Sequence, residues 1–249
     1  MQSGRGGYGR INVRNSDLAM PDRRKDLRVC AWVDREWNWN GCRIGDIGRE
    51  GGSEQEMTSK DKVILDLCGG TGSWSKPYRD AGYDVRIITL PETDVCTYIP
   101  PQKVYGILAA TPCDEFSIAK HFHGKGNYIH NFKAGLEVCS ACCRIILTSR
   151  PVFWAIENPA NGLLKRWLGD PAYTFDPWQF GHNYQKKTAL WGIFNFPKEK
   201  VQVKPEGMKK FSMLSSKEIY PEFYGIYTRQ ERRAITPPGF AKAFFEANQ

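Results

Sequence analysis

The chain has no run of about 18 apolar residues, the length a membrane-spanning helix needs, so no span is expected within its 249 residues. Its first residues are polar and rich in Gly and Arg, and no apolar stretch of the kind a secretory signal carries is seen there. Together these set the expectation of a cytoplasmic protein with no membrane partner. The eight cysteines follow no regular disulfide spacing, and a chain of this length does not need such a framework. Histidine is scarce, with four residues. His121 and His123 flank Phe122 in a loop-like stretch without further ligands. Cys139, Cys142 and Cys143 approach metal-ligand spacing but fall in a helical pattern, where small buried thiols are expected. No metal site is expected.

What is present is enough apolar material for a core, 41% hydrophobic and 13% aromatic, so the chain can fill one large α/β domain, expected to be monomeric, with an appendage. A formal net charge of +8 suits a polyanionic partner. Basic pairs recur in the second half (Lys165 and Arg166, Lys186 and Lys187, Lys209 and Lys210, Arg232 and Arg233), with Trp167, Trp178, Tyr184 and Trp191 nearby. Each pair alone reads as a solvated face. Their recurrence beside aromatics points toward nucleic acid. Residues 1–56 differ in composition, with Gly/Arg-rich and Trp-rich patches, and are read as a disordered or loosely attached extension. The ordered pattern begins after Met57, so 57–249 is the expected catalytic domain.

From Lys62 the pattern alternates strand and helix. Val63–Leu67 is a continuous apolar strand of the type covered on both faces. A glycine-rich turn, Cys68–Gly72, leads to a helix over Ser73–Ala81, stopped by Gly82. Strands are expected at Val85–Leu90, Tyr105–Ala110, Val152–Ile156 and Ala189–Phe194, with a long helix across Asn131–Thr148 whose buried face carries Leu136, Cys139, Cys143 and Ile146. Lys198–Ser216 reads as Lys-rich loop. Thr236-Pro237-Pro238 opens a last helix over Gly239–Ala247. The fold class is therefore α/β, a doubly wound, mainly parallel sheet. Ligands of such sheets sit at the carboxyl ends of the strands. Gly69–Gly72, Pro112-Cys113 and Glu157-Asn158 should converge there on one crevice.

The glycine turn lets a nucleotide-like cofactor approach the backbone. A dinucleotide fingerprint would add a later glycine and an acid after the second strand; Ile88-Thr89-Leu90-Pro91 has no acid, which counts against NAD. Pro112-Cys113 is more specific. A thiol at a strand end can act as a nucleophile once ionised. Thiolate addition to C6 of cytosine makes C5 enamine-like, and an acid near N3 takes up the developing charge. Cys113 and Glu157 are residues of the required types at neighbouring strand ends.

The order of glycine turn, Pro112-Cys113 followed by Phe116-Ser117, and Glu157-Asn158 resembles the DNA cytosine-5 methyltransferase family in a compact, phage-like form. The resemblance runs from about Val63 to Asn248. It implies a class I, Rossmann-like methyltransferase fold, S-adenosylmethionine as cofactor and a flipped cytosine in DNA as substrate, in a bacterial host or encoded by a phage. Cys113 and Glu157 are then the catalytic pair. Asp66, Cys68, Gly69, Gly70, Thr71, Gly72 and Pro112 would line the cofactor, with Asp94 near the adenine amino group. Cys68 stands where the family has an aromatic, leaving Trp74 to stack on adenine, and Glu92 is the remaining acid for the ribose. Ser117, Asn158, Gln185 and Lys187 would contact the target nucleotide, Lys187 standing where the family has Arg. The helix after Thr236 would complete the cofactor pocket. Only a short stretch, 195–235, lies where family members with long sites insert a recognition domain, so a short or relaxed sequence context is expected. Methylation of RNA or of a free nucleotide, and a catalytically inactive DNA-binding homologue, are the alternatives.

Overall fold

The computed structural model describes residues 58–117, 130–215 and 217–249. The extension 1–56, the proposed start at Met57 and the His121/His123 pair lie outside the described residues.

Six strands make the main sheet: β1 (Val63–Leu67), β2 (Asp84–Ile88), β3 (Gly106–Ala110), β4 (Phe153–Pro159), β5 (Tyr173–Phe175) and β7 (Thr188–Ile193), in the order β2-β1-β3-β4-β7-β5. The first four strands pair in parallel. β7 then runs antiparallel to β4, and β5 antiparallel to β7. The fold is α/β with a mixed sheet: four strands run parallel, within the mainly parallel sheet expected, and two strands in antiparallel pairing, whose direction the sequence did not signal, extend one edge. β5 has only three residues, too few for a periodic signal in the sequence.

Alternation along the strands splits the core in two. Leu65, Leu67, Ile107, Ala109 and Ile156 face one way and pack with Cys139, Cys142 and Ile145 of helix α2 (Phe132–Ser149). Ile64, Leu108, Phe153, Ala155 and Leu190 face the other way. They pack with Tyr78 of helix α1 (Lys76–Asp80) and with Phe240 and Phe244 of a C-terminal helix, Pro238–Ala247. The buried face of α2 centres on Gly135, Cys139, Cys142 and Ile146, so Leu136 and Cys143 lie at its edge rather than within it. Asn131 caps this helix, its Oδ1 accepting from the Ala134 amide at 3.2 Å. Among the described residues no helix is long and apolar enough to cross a membrane.

Three boundaries differ from expectation for physical reasons. The first helix begins only at Lys76 because the chain is still turning at Gly72, whose φ is +68°, and because the Ser75 hydroxyl is engaged with the Asp66 carboxylate. β4 runs through Glu157, Asn158 and Pro159 because antiparallel pairing to Leu190, Ala189 and Thr188 prolongs it. The Lys-rich stretch is more than loop. Strands β6 (Tyr184–Gln185) and β8 (Lys209–Lys210) pair in parallel. Tyr184, Phe211, Leu214, Ile219, Tyr220 and Ile235 form a third apolar cluster. It is tied by a 2.6 Å hydrogen bond between the Tyr184 and Tyr220 hydroxyls. Two short helices complete the elements, α3 (Lys165–Leu168) and α4 (Arg229–Ala234), so the C-terminal one is α5.

Candidate active site

The order of the parallel strands reverses between β1 and β3, β2 lying to one side and β4 to the other, and at such a point an open α/β sheet leaves a crevice outside its strand ends. A cavity of about 1090 Å³ opens there. It is walled by Cys68–Thr71 after β1, by Ile88, Thr89 and Leu90 at the end of β2, and by Asp94 and Val95. Its lining also includes Cys113, Asp114, Ser117, Glu157, Gln185, Lys186 and Lys187, with Lys210, Phe211, Arg229 and Arg233. Pro112 lines it as well.

The glycine turn is shaped by its own side chains. A Cβ on Gly69 would lie 2.4 Å from Cγ of Asp66, so only glycine lets the chain pass over that carboxylate. Gly70 has φ +51° with nothing within 4 Å of where a Cβ would stand, leaving its backbone open to the cavity. Asp66 is wholly buried. Its Oδ2 accepts from the Ser75 hydroxyl at 2.5 Å, and its Oδ1 has no hydrogen-bond partner among the described residues. Burial pushes this carboxyl up to about 6, against the hydrogen bonds from Ser75 and the Arg79 charge. An unpartnered carboxylate oxygen, an open glycine backbone and a second carboxylate at Asp94 fit a cationic, nucleoside-bearing ligand such as S-adenosylmethionine. Cys68 adopts φ +57°, and its thiol is pulled down by a hydrogen bond to Cys142.

Cys113 follows β3 in a turn closed by the Phe116 amide donating to the Cys113 carbonyl at 3.0 Å. The thiol is reachable from the cavity. Surrounding protein first, and the Glu157 carboxylate second, push it above the ordinary thiol range, with Lys186 opposing. Glu157 sits in β4 beside Ala110 of β3. Burial raises its carboxyl too, again against Lys186. The site therefore combines an accessible thiol, a carboxyl that keeps its proton to higher pH, and a cation that acts on both.

Of the residues singled out in the sequence, Asp66, Cys68, Gly69, Gly70, Thr71, Trp74, Asp94, Pro112, Cys113, Ser117, Glu157, Gln185 and Lys187 all line this cavity. Three do not. Gly72 packs against β2, where a Cβ would meet Cδ1 of Ile87 at 2.4 Å, so its glycine serves the fold. Glu92 is exposed and outside the wall. Asn158 is completely buried behind it. Trp74 reaches the cavity but is only 2% exposed, its ring packed 6.1 Å from Phe240 and 5.5 Å from Phe244. It is a core residue and offers no open face for stacking on adenine. Gln185 spends its amide on the Met208 carbonyl at 2.7 Å.

The sequence reading missed Lys186, Phe211, Arg229 and Arg233 as individual site residues. The recurrence of basic pairs was the available signal, but which member of each pair faces inward depends on the third apolar cluster. Arg232, for example, is buried and donates to the Ile219 carbonyl at 2.8 Å. Among the described residues no group of three or more His, Cys, Asp or Glu is placed to hold a metal ion.

No protein-family model matches the chain, and no curated protein does. Among solved structures, the chain is similar to a candidate DNA modification methyltransferase encoded within an E. coli prophage. That match has 16% identity and a TM-score of 0.37. It covers 60% of this chain, which thus spans about half of that protein, 51%.

Proposed function

We propose that the chain is a class I, Rossmann-like methyltransferase that transfers a methyl group from S-adenosylmethionine to C5 of cytosine in DNA. The observation that carries this reading is the joint opening of Cys113, in the turn after β3, and Glu157, in the adjacent parallel strand β4, into the cavity that also holds the glycine turn. Asp66, Gly69, Gly70, Thr71 and Asp94 would hold the cofactor, and their side of the cavity supplies negative charge for a cation.

In this reading a cytosine enters the cavity beside Cys113 and Glu157. A base in a duplex must be flipped out, at a cost of a few kcal/mol. The Cys113 thiolate adds to C6, forming the S–C6 bond, while the C5–C6 π pair shifts through the ring toward N3. Glu157, whose burial favours the acid form, gives a proton to N3, leaving C5 as a neutral enamine carbon. Bound S-adenosylmethionine supplies the electrophilic methyl group that C5 takes. Loss of the C5 proton to water then expels Cys113 as thiolate, and Glu157 recovers the proton from N3.

The test is methyl transfer measured in parallel on DNA, RNA and dCMP, with 5-fluorocytosine DNA as a trap. Covalent capture of the wild type and none of Cys113→Ala is expected, because fluorine at C5 blocks the final elimination. Transfer to RNA or dCMP alone would move the substrate class. Binding of DNA with no transfer at all would leave the chain a DNA-binding homologue.

A further inference from the structure

Phe211 carries two cations. The Lys186 ammonium lies 5.3 Å from its ring centroid and the Arg233 guanidinium carbon 5.0 Å. Lys186 also donates to the Arg233 carbonyl at 3.1 Å, so ring, ammonium and guanidinium form one unit. Phe211 itself is only 5% exposed and belongs to the third apolar cluster, which fixes its orientation. All three residues line the cavity into which Cys113 opens. Lys186 acts electrostatically on both Cys113 and Glu157, and Arg233 feels Cys113 in turn, so the pair stands close to the reacting thiol.

Neither cation forms an ion pair with a carboxylate of the described residues. Instead, Arg229 stands next along the same wall and pushes the Arg233 guanidinium down, second only to burial. Two positive charges on one ring, with a third beside them, repel. The π face offsets part of that repulsion. An anion brought from outside offsets it directly. A planar guanidinium fork beside a compact ammonium suits a tetrahedral oxyanion, which offers several acceptor oxygens at once.

We propose that Lys186 and Arg233, seated on Phe211, form a subsite for the phosphate of the nucleotide whose base meets Cys113. The nature of the base rests on the function proposed above; the anion does not. The phosphate is either the ester of a free nucleotide or a backbone diester of a strand, and the same fork serves both.

Calorimetric titration of the full chain with deoxycytidine, dCMP and a short cytosine-containing oligonucleotide tests this, without any need for turnover. The wild type should bind at least one phosphate-bearing probe about tenfold or more tighter than deoxycytidine, the gain expected of charge-assisted hydrogen bonds. Arg233→Gln should abolish most of that gain and leave deoxycytidine binding and the melting temperature unchanged. Phe211→Leu should act in the same direction, because the cations lose their seat; if it does not fold, Arg233→Gln decides alone. A gain for dCMP marks the nucleotide's own phosphate, and a gain for the oligonucleotide alone marks a strand phosphate. Folded Arg233→Gln with the full wild-type preference for phosphate would overturn the subsite. Phosphate-dependent binding that is lost in Arg233→Gln, in a protein that methylates nothing, would sink the proposed reaction and leave the subsite standing.

Discussion

Asn158 donates its side-chain amide to the Thr111 carbonyl at 3.0 Å and to the Thr111 hydroxyl at 3.2 Å, one residue before Pro112 and two before Cys113. A fully buried residue of β4 thus anchors the turn that carries Cys113. Asn158→Ala leaves the Thr111 carbonyl buried without this donor, which should cost about 1–3 kcal/mol of folding stability. The rate of covalent trapping should fall, because Cys113 loses its fixed position, while cofactor affinity should hardly change. Thermal melting and single-turnover trapping check both. Trapping at the wild-type rate would show that the turn holds itself.

Glu157 and Lys186 act on Cys113 with opposite signs, and this is separable from catalysis. The Glu157 carboxylate raises the thiol, so Glu157→Gln should lower it and move the midpoint of iodoacetamide alkylation to lower pH. Lys186→Met should move that midpoint up. Methyl transfer in Glu157→Gln should nevertheless fall by about 10²–10⁴-fold, because no proton can be given to N3. A more reactive thiol in a slower enzyme is the expected signature. If alkylation and turnover both rose, Glu157 would have no acid role.

Much of the framework was legible in the sequence. Val63–Leu67 and Tyr105–Ala110 are apolar on both faces, which is how central parallel strands read, and the loops after them had to share an edge. The roles set by distant residues were not legible. Trp74 is claimed by Phe240 and Phe244 of α5, more than a hundred and fifty residues away, and nothing local says so. Asn158 reads like a strand-end residue until β7 pairs beside it and extends β4 past it. β6, β8 and α4 have two, two and six residues, too short for periodicity to register. Their cluster is what turns Arg233 inward.

Asp66 should trade stability for binding. The native state holds its proton up to about pH 6, whereas the ordinary carboxyl value is 3.8. Between those values the folded chain binds more protons than the unfolded one, so stability falls as pH rises through the window and stays lower above it. The shift corresponds to at most about 3 kcal/mol at roughly 1.4 kcal/mol per unit. Asp66→Asn stays neutral and can still accept from Ser75. It should melt at a higher temperature than wild type at pH 7, with the difference gone at about pH 4. It should also bind S-adenosylmethionine more weakly, having lost the carboxylate. Equal affinity in the two proteins would remove Asp66 from the cofactor site.

Lys209 and Lys210 are neighbours in β8 with opposite surroundings, as alternation along a strand requires. Lys209 pairs with Glu218 at 2.8 Å on the exposed surface, and it does not line the cavity. Lys210 does line it, beside Phe211. If DNA is the substrate, the two lysines should therefore differ in salt dependence. Each phosphate neutralised on duplex DNA contributes a log–log slope of about −0.9. Lys210→Ala should flatten the slope by about that amount and weaken all sequences alike, since a phosphate contact carries no base information. Lys209→Ala should leave the slope near wild type, because its charge is already matched by Glu218. Salt titrations of both variants against one duplex and one scrambled duplex decide the matter. Equal flattening by the two substitutions would mean that the strand follows the outer surface of β8 rather than entering along the wall that carries Lys210.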